Sequence, residues 1–196
     1  MQQPNIAASL RMSQEPAAKH RRNLYLVGPM GSGKTTLGRQ LAARLGLEFI
    51  DCDQEIEERT GASVNLIFDV EGEAGFRDRE SALIEELSHR TGLLVATGGG
   101  AIIRAANRRL MRDTGFVVWL RTPVEHQIAR LGRDRSRPLL QAPDRDRILQ
   151  RLAEERNPLY TEVSDLVFDS SQRNIKRVAE QLCLEIRKSW QPPVQR

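Results

Sequence analysis

The sequence predicts a three-layer α/β fold, a parallel sheet of about five strands covered by helices on both faces. Three observations carry this. Short apolar runs alternate with stretches whose apolar residues recur every third or fourth position, which is the pattern of strand–helix crossover units. The longest uninterrupted apolar runs, Leu93–Ala96 and Phe116–Leu120, suit strands buried on both faces and fall far short of the ~20 residues of a membrane helix. A chain of 196 residues that is 39% hydrophobic has enough apolar surface for one sizeable core, and it contains no internal repeat.

Residues 1–22 mix Gln, Pro, Ala, Ser and Arg without periodicity and read as a flexible extension. Asn23–Gly28 is an apolar run closed by glycine, the first strand. Leu37, Leu41 and Leu45 then repeat at spacing four through a helix from Lys34 that Gly46 stops. Glu48–Asp51 is the second strand, and helical spacing follows through Asp53–Arg59, Val64–Val70 and Ala74–Arg90. Leu93–Thr97 is the third strand, closed by Gly98, Gly99 and Gly100. A helix over Arg104–Arg112 leads to the fourth strand, Phe116–Leu120, and another helix covers Val124–Leu131. Gly132–Pro143 is charged, holds two prolines and reads as an irregular surface segment. Asp144–Arg156 is helical with Pro158 beyond its end, Asp165–Asp169 is the fifth strand, and Ile175–Lys188 is the last helix. The domain is therefore expected over 23–190, with a tail at 191–196.

Composition excludes several classes. The apolar stretch Ile6–Leu10 is too short for a signal-peptide core, so a soluble, cytoplasmic protein is expected. Cys52 and Cys183 have no metal-like spacing and suit two ordinary thiols of a reducing cytosol. Of 30 Lys and Arg only Lys19, Lys34, Lys176 and Lys188 are lysine. Arginine forks suit small anions, while the lack of long basic runs and an aromatic content of 5% argue against a nucleic-acid surface.

Gly28-Pro-Met-Gly-Ser-Gly33-Lys34-Thr35 matches G-x-x-x-x-G-K-[ST] in full, between a strand and a helix as that motif requires. Its glycines let consecutive backbone N–H groups turn toward phosphate oxygens at a helix N-terminus. Lys34 would reach the β- and γ-phosphates and the Thr35 hydroxyl would take a place on Mg²⁺. Nucleoside triphosphate binding follows. The sequence has no N-K-x-D guanine motif, and Asp69–Gly72 fits D-x-x-G only within a helical pattern, so a GTPase is disfavoured. One small domain leaves no room for a helicase or motor, which leaves a small-molecule kinase.

Asp51 and Asp53 are two residues apart at the end of the second strand, and alternation would point both to one side, toward the crevice of a parallel sheet. Two carboxylates there can divide the work, one near the metal and one accepting a hydroxyl proton. A helix N-cap at Asp53 would also account for it and does not exclude the functional role. Arg77 and Glu80 share a helix face at i, i+3, by default a solvated ion pair. Gly98, Gly99 and Gly100 are costly to order, and close approach of the backbone to a ligand would justify them.

Taken in order, the P-loop, Asp51-Cys-Asp53, Gly75-Phe-Arg77 with Glu80, Thr97-Gly-Gly-Gly100, Arg137-Pro-Leu-Leu140 and Arg156-Asn-Pro-Leu-Tyr160 resemble the shikimate kinase family over about residues 23–188. The resemblance implies transfer of the γ-phosphoryl of ATP to the 3-hydroxyl of shikimate, a step toward chorismate and the aromatic amino acids. It implies a five-stranded parallel sheet like that of the nucleoside monophosphate kinases, with a mobile lid at about 132–143. Gly31, Ser32, Gly33, Lys34, Thr35 and Thr36 would bind the triphosphate, with Thr35 and Asp51 serving Mg²⁺. Asp53 would bind the shikimate hydroxyls and accept the proton. Arg77 and Arg156 would clamp the shikimate carboxylate, with Glu80 holding Arg77 and the Gly99 N–H assisting between Gly98 and Gly100. Arg137 would close over the phosphates, and Arg173 would lie near the adenine or ribose. ATP and shikimate would be the partners of a monomer that binds neither nucleic acid nor membrane. A kinase for another small hydroxy acid, such as gluconate, or a P-loop protein using ATP as a switch on nucleic acid, are the rival readings.

Overall fold

The structure is a computed structural model and describes residues 22–132, 144–171 and 174–191. Strands β1 (Asn23–Val27), β2 (Glu48–Asp51), β3 (Leu93–Ala96), β4 (Gly115–Arg121) and β5 (Leu166–Asp169) form one sheet in the order β2-β3-β1-β4-β5. Every pairing is parallel; in the centre Tyr25 lies opposite both Val95 and Val117.

Alternation of side chains along the strands divides the core in two. Leu24 and Leu26, with Leu94, Val118 and Leu120, face helices α1 (Lys34–Leu45) and α7 (Ile175–Ser189). Tyr25, Val27, Val95, Val117 and Trp119 face the opposite layer of α2 (Cys52–Thr60), α3 (Val64–Ser88), α4 (Ala105–Thr114) and α6 (Arg145–Val163). Helix α5 (Val124–Leu131) meets α6 over a small cluster of Met30, Leu131 and Leu149. Buried Asn23 stitches three elements together, since its amide donates to the Leu87 and Arg90 carbonyls and its oxygen accepts from Leu93 N–H. Cys52 and Cys183 are both buried free thiols. Among the described residues no helix is long and apolar enough to cross a membrane.

Two elements differ from expectation. Pro158 lies inside α6, which runs on to Val163. An interior proline costs a helix about 3 kcal/mol, and burial of Tyr160 and Val163, each worth about 1.5–3 kcal/mol, offsets that. The segments expected at Val64–Val70 and Ala74–Arg90 are the two halves of α3, which meet at Gly72, where φ is 72° and ψ 179°. The Gly28 loop, Asp51 and the Thr97–Gly100 turn all follow the carboxyl ends of their strands, where an open parallel sheet binds ligands.

Candidate active site

The loop from Gly28 to Thr35 connects β1 to α1, and its glycines at 28, 31 and 33 have φ of 148°, 74° and 90°. A Cβ on Gly28 would lie 2.7 Å from the Leu120 carbonyl oxygen, so neither its conformation nor its surroundings accept a side chain. Lys34 Nζ donates to the Gly28 and Pro29 carbonyls at 2.8 Å each, folding the ammonium over the loop. Ser32, Gly33, Thr36, Arg130, Ser171 and Ile175 are among the residues that line a cavity of about 540 Å³. Arg130 Nη1 donates to the Gly31 carbonyl at 3.0 Å, and its other nitrogen to the Ser170 carbonyl, so α5 and the end of β5 are tied to the loop.

Strand β2 stops at Asp51, which corrects the expectation that Asp51 and Asp53 alternate along one strand. Asp51, and not Asp53, is the N-cap of α2. One of its oxygens accepts from Asp53 N at 3.1 Å and Gln54 N at 3.4 Å. Its other oxygen accepts from the Thr35 hydroxyl at 2.6 Å. Asp53 therefore sits in the first helical turn, where the positive end of the helix dipole favours a carboxylate. Thr35 and Asp51 present a hydroxyl and a carboxylate side by side at the loop. Such hard oxygen donors suit Mg²⁺, which takes one or two protein ligands and completes its shell with phosphate and water. Among the described residues no three His, Cys, Asp or Glu converge into a metal cage of their own.

Asp53, Arg77, Gly98, Gly99, Gly100 and Arg156 line a second cavity of about 530 Å³, bordered by Met30 of the phosphate loop. Arg77 Nη1 donates to Glu80 Oε2 at 2.6 Å, and a second fork reaches Glu73 at 3.2 Å. The pair is not solvated as its spacing alone would have it. Glu80 is 0% exposed, and burial pushes its carboxyl above the usual glutamate range against the pull of Arg77. Its Oε1 has no hydrogen-bond partner among the described residues. The Arg77 guanidinium also lies 5.2 Å from the Phe76 ring centroid and 6.0 Å from that of Phe68, a cation–π setting that fixes its plane.

Gly98 and Gly100 have a local reason to be bare, beside the expected approach to a ligand. A Cβ on Gly98 would collide with Glu80 Oε1 and lie 3.0 Å from Asp53 Oδ1, and one on Gly100 would overlap the Arg77 guanidinium. The turn is bare so that these charged side chains can close on it. The Gly99 carbonyl accepts from Tyr160 Oη at 2.6 Å and from Arg156 Nη1 at 3.4 Å.

The phosphate loop, Asp51, Asp53, Arg77, Glu80, Gly98–Gly100 and Arg156 are thus brought to one edge of the sheet, while Arg137 and Arg173 lie outside the described residues, as does most of the expected lid. The sequence reading missed Arg130 and Tyr160. Arg130 looks like an ordinary basic residue in the last turn of a helix. Tyr160 lies within the Arg156–Tyr160 motif without any sign of its partner 61 residues upstream.

The sequence profile of the family described as "Shikimate kinase" matches residues 30–187. A shikimate kinase of Pseudomonas paraeruginosa is 52% identical over 166 residues, 85% of this chain and 96% of that protein. Shikimate kinase 1 of Erwinia tasmaniensis is 51% identical over 171 residues, 86% of this chain and 98% of the relative. The solved structure of shikimate kinase from Acinetobacter baumannii in complex with shikimate superposes with a TM-score of 0.82 at 46% identity, covering 88% of this chain and 97% of that one. With Met30–Thr35 of the phosphate loop, the acidic pair and the arginine-lined cavity all inside the matched span, the chain belongs to the shikimate kinase family.

Proposed function

We propose that the protein carries out its family's reaction, moving the γ-phosphoryl of ATP to the 3-hydroxyl of shikimate to give shikimate 3-phosphate and ADP. The observation that supports this most is the pairing of two cavities across the phosphate loop, one lined by Ser32, Gly33 and Thr36 and the other by Asp53, Arg77 and Arg156. A small anion bearing hydroxyls needs forked donors at one end and a carboxylate at the other, and the second cavity has both.

ATP takes the first cavity, with Gly31–Thr36 around its phosphates, Lys34 swinging from the loop carbonyls to the β- and γ-oxygens, and Arg130 closing the side toward Ser170. Thr35 and Asp51 hold Mg²⁺, which when bound neutralises charge on the phosphates. Shikimate takes the second cavity. Arg77, braced by Glu80, and Arg156 grip its carboxylate, while Asp53 orients the hydroxyl and accepts its proton as the O–P bond forms. Gly99 contributes its backbone N–H, and Gly98 and Gly100 let the charged groups close. Arg137 and Arg173, outside the described residues, complete the reading as the charge-stabilising arginine of the lid at about 132–143 and a contact to adenine or ribose. Residues 23–190 form the working unit, a cytoplasmic monomer that uses small molecules and binds neither nucleic acid nor membrane.

The test is ADP release from Mg·ATP with and without shikimate, with quinate and gluconate as controls. Shikimate-dependent ADP with a matching phosphorylated product is expected. Release indifferent to shikimate overturns the acceptor, and dependence on gluconate gives the site to the rival hydroxy-acid kinase.

A further inference from the structure

Helix α6 carries Arg156 and, one turn on, Tyr160, so both project from the same face. They converge on a single acceptor, the carbonyl oxygen of Gly99, but unequally, with Tyr160 Oη at 2.6 Å and Arg156 Nη1 at 3.4 Å, the far limit of a hydrogen bond. The Tyr160 ring is 1% exposed and stacked on Trp119 with centroids 5.4 Å apart, which leaves its hydroxyl no freedom to turn elsewhere. Arg156 is only partly buried and opens onto the cavity of Asp53 and Arg77. Gly99 in turn rests on the phosphate loop, its Cβ direction 3.5 Å from the Gly28 oxygen and the Met30 nitrogen.

Resting on the assignment of that cavity to shikimate, we propose that Tyr160 is a positioning residue whose short bond to the Gly99 carbonyl keeps Arg156 at its long, weak one. A guanidinium beside an unclaimed carbonyl in a partly buried site draws in to about 2.9 Å and is then no longer aimed at a substrate carboxylate. With the tyrosine hydroxyl holding that oxygen, Arg156 keeps its forks for the ligand, and the Gly99 turn stays docked against α6. Burial pushes the Tyr160 phenol well above its ordinary range, so it remains a donor throughout the working pH range.

Tyr160→Phe keeps the ring and its stack on Trp119 and removes only the hydroxyl. The expected result is a KM for shikimate about tenfold higher, with kcat and the KM for ATP within about threefold, since binding of one substrate is lost and not the chemistry. In an Arg156→Ala background the same change should alter the shikimate KM less than about twofold, because the arginine it acts through is gone. A merely structural tyrosine would lower the melting temperature and leave the KM of the folded enzyme alone. An unchanged shikimate KM in folded Tyr160→Phe, or an undiminished effect without Arg156, overturns the proposal while the wild-type dependence on shikimate stands. A wild-type enzyme with no such dependence overturns the cavity assignment and this role with it.

Discussion

Gly100 has no side chain because Arg77 uses the space, and Gly98 has none because Glu80 and Asp53 do. Gly100→Ala should therefore displace the guanidinium and raise the KM for shikimate about tenfold or more, the order of a lost charge-assisted contact. Gly99→Ala, whose Cβ would meet nothing closer than 3.5 Å, should do much less. Steady-state kinetics on both variants, with melting curves to show that each folds, make the comparison. The same crowding governs Glu80, whose carboxyl is raised above its ordinary value of 4.5 by burial. The folded protein then holds that proton more tightly than the unfolded chain. This contribution to stability is complete below the unfolded pKa and is lost as pH rises through the higher folded one. Wild type minus Glu80→Gln should accordingly lose stability from acid toward neutral pH, as read in parallel denaturation curves. These residues were legible in the sequence as types at suggestive spacings. That the Arg77–Glu80 pair is buried was not, because an i, i+3 pair looks the same on a wet face and on one pressed against a turn.

At the scale of elements, α3 depends on Gly72, whose φ of 72° and ψ of 179° belong to a region that glycine alone visits at little cost. The first half of the helix carries Phe68 and the second carries Phe76 and Arg77, and the break sets the angle at which the rings, 4.8 Å apart, flank the guanidinium. Space around Gly72 is open, so Gly72→Ala meets backbone strain and no collision. It should cost about 1–3 kcal/mol in denaturant unfolding and raise the shikimate KM with little change in the KM for ATP. The two apolar stretches were visible as separate helices because Glu71–Glu73 interrupts their spacing. The end of α6 was misplaced for the opposite reason. Pro158 is a local stop signal, overridden by burial of Tyr160 and Val163 that no local pattern reports. Asp51 and Asp53 show a third kind of error, since strand alternation was extended two residues past a cap that ends the strand.

For the molecule as a whole, the phosphate loop lies between two cavities and is bonded to the rest of the protein on both sides, by Arg130 toward β5 and through Thr35 and Asp51 toward α2. Each ligand that binds only the folded chain should stabilise it, by about 2.7 kcal/mol at a hundredfold excess over its Kd. For a domain of this size that is a rise of roughly 5–10 °C in melting temperature. Arg156→Ala should abolish most of the rise with shikimate and keep that with Mg·ATP, and loss of the nucleotide response instead would place Arg156 in the wrong cavity. The sequence by itself determined the α/β class, the five strands, the phosphate loop and, through motifs in register, the shikimate kinase family. Those depend on local periodicity and on short contiguous segments. Only the tertiary structure decided which carboxylate caps α2, why Gly98 and Gly100 are bare, and that Arg130 reaches the phosphate loop and Tyr160 the Gly99 turn. The cap is a local contact, but the others follow from groups far apart in the chain meeting at one small volume or one carbonyl oxygen, and such meetings leave no periodic trace in the sequence.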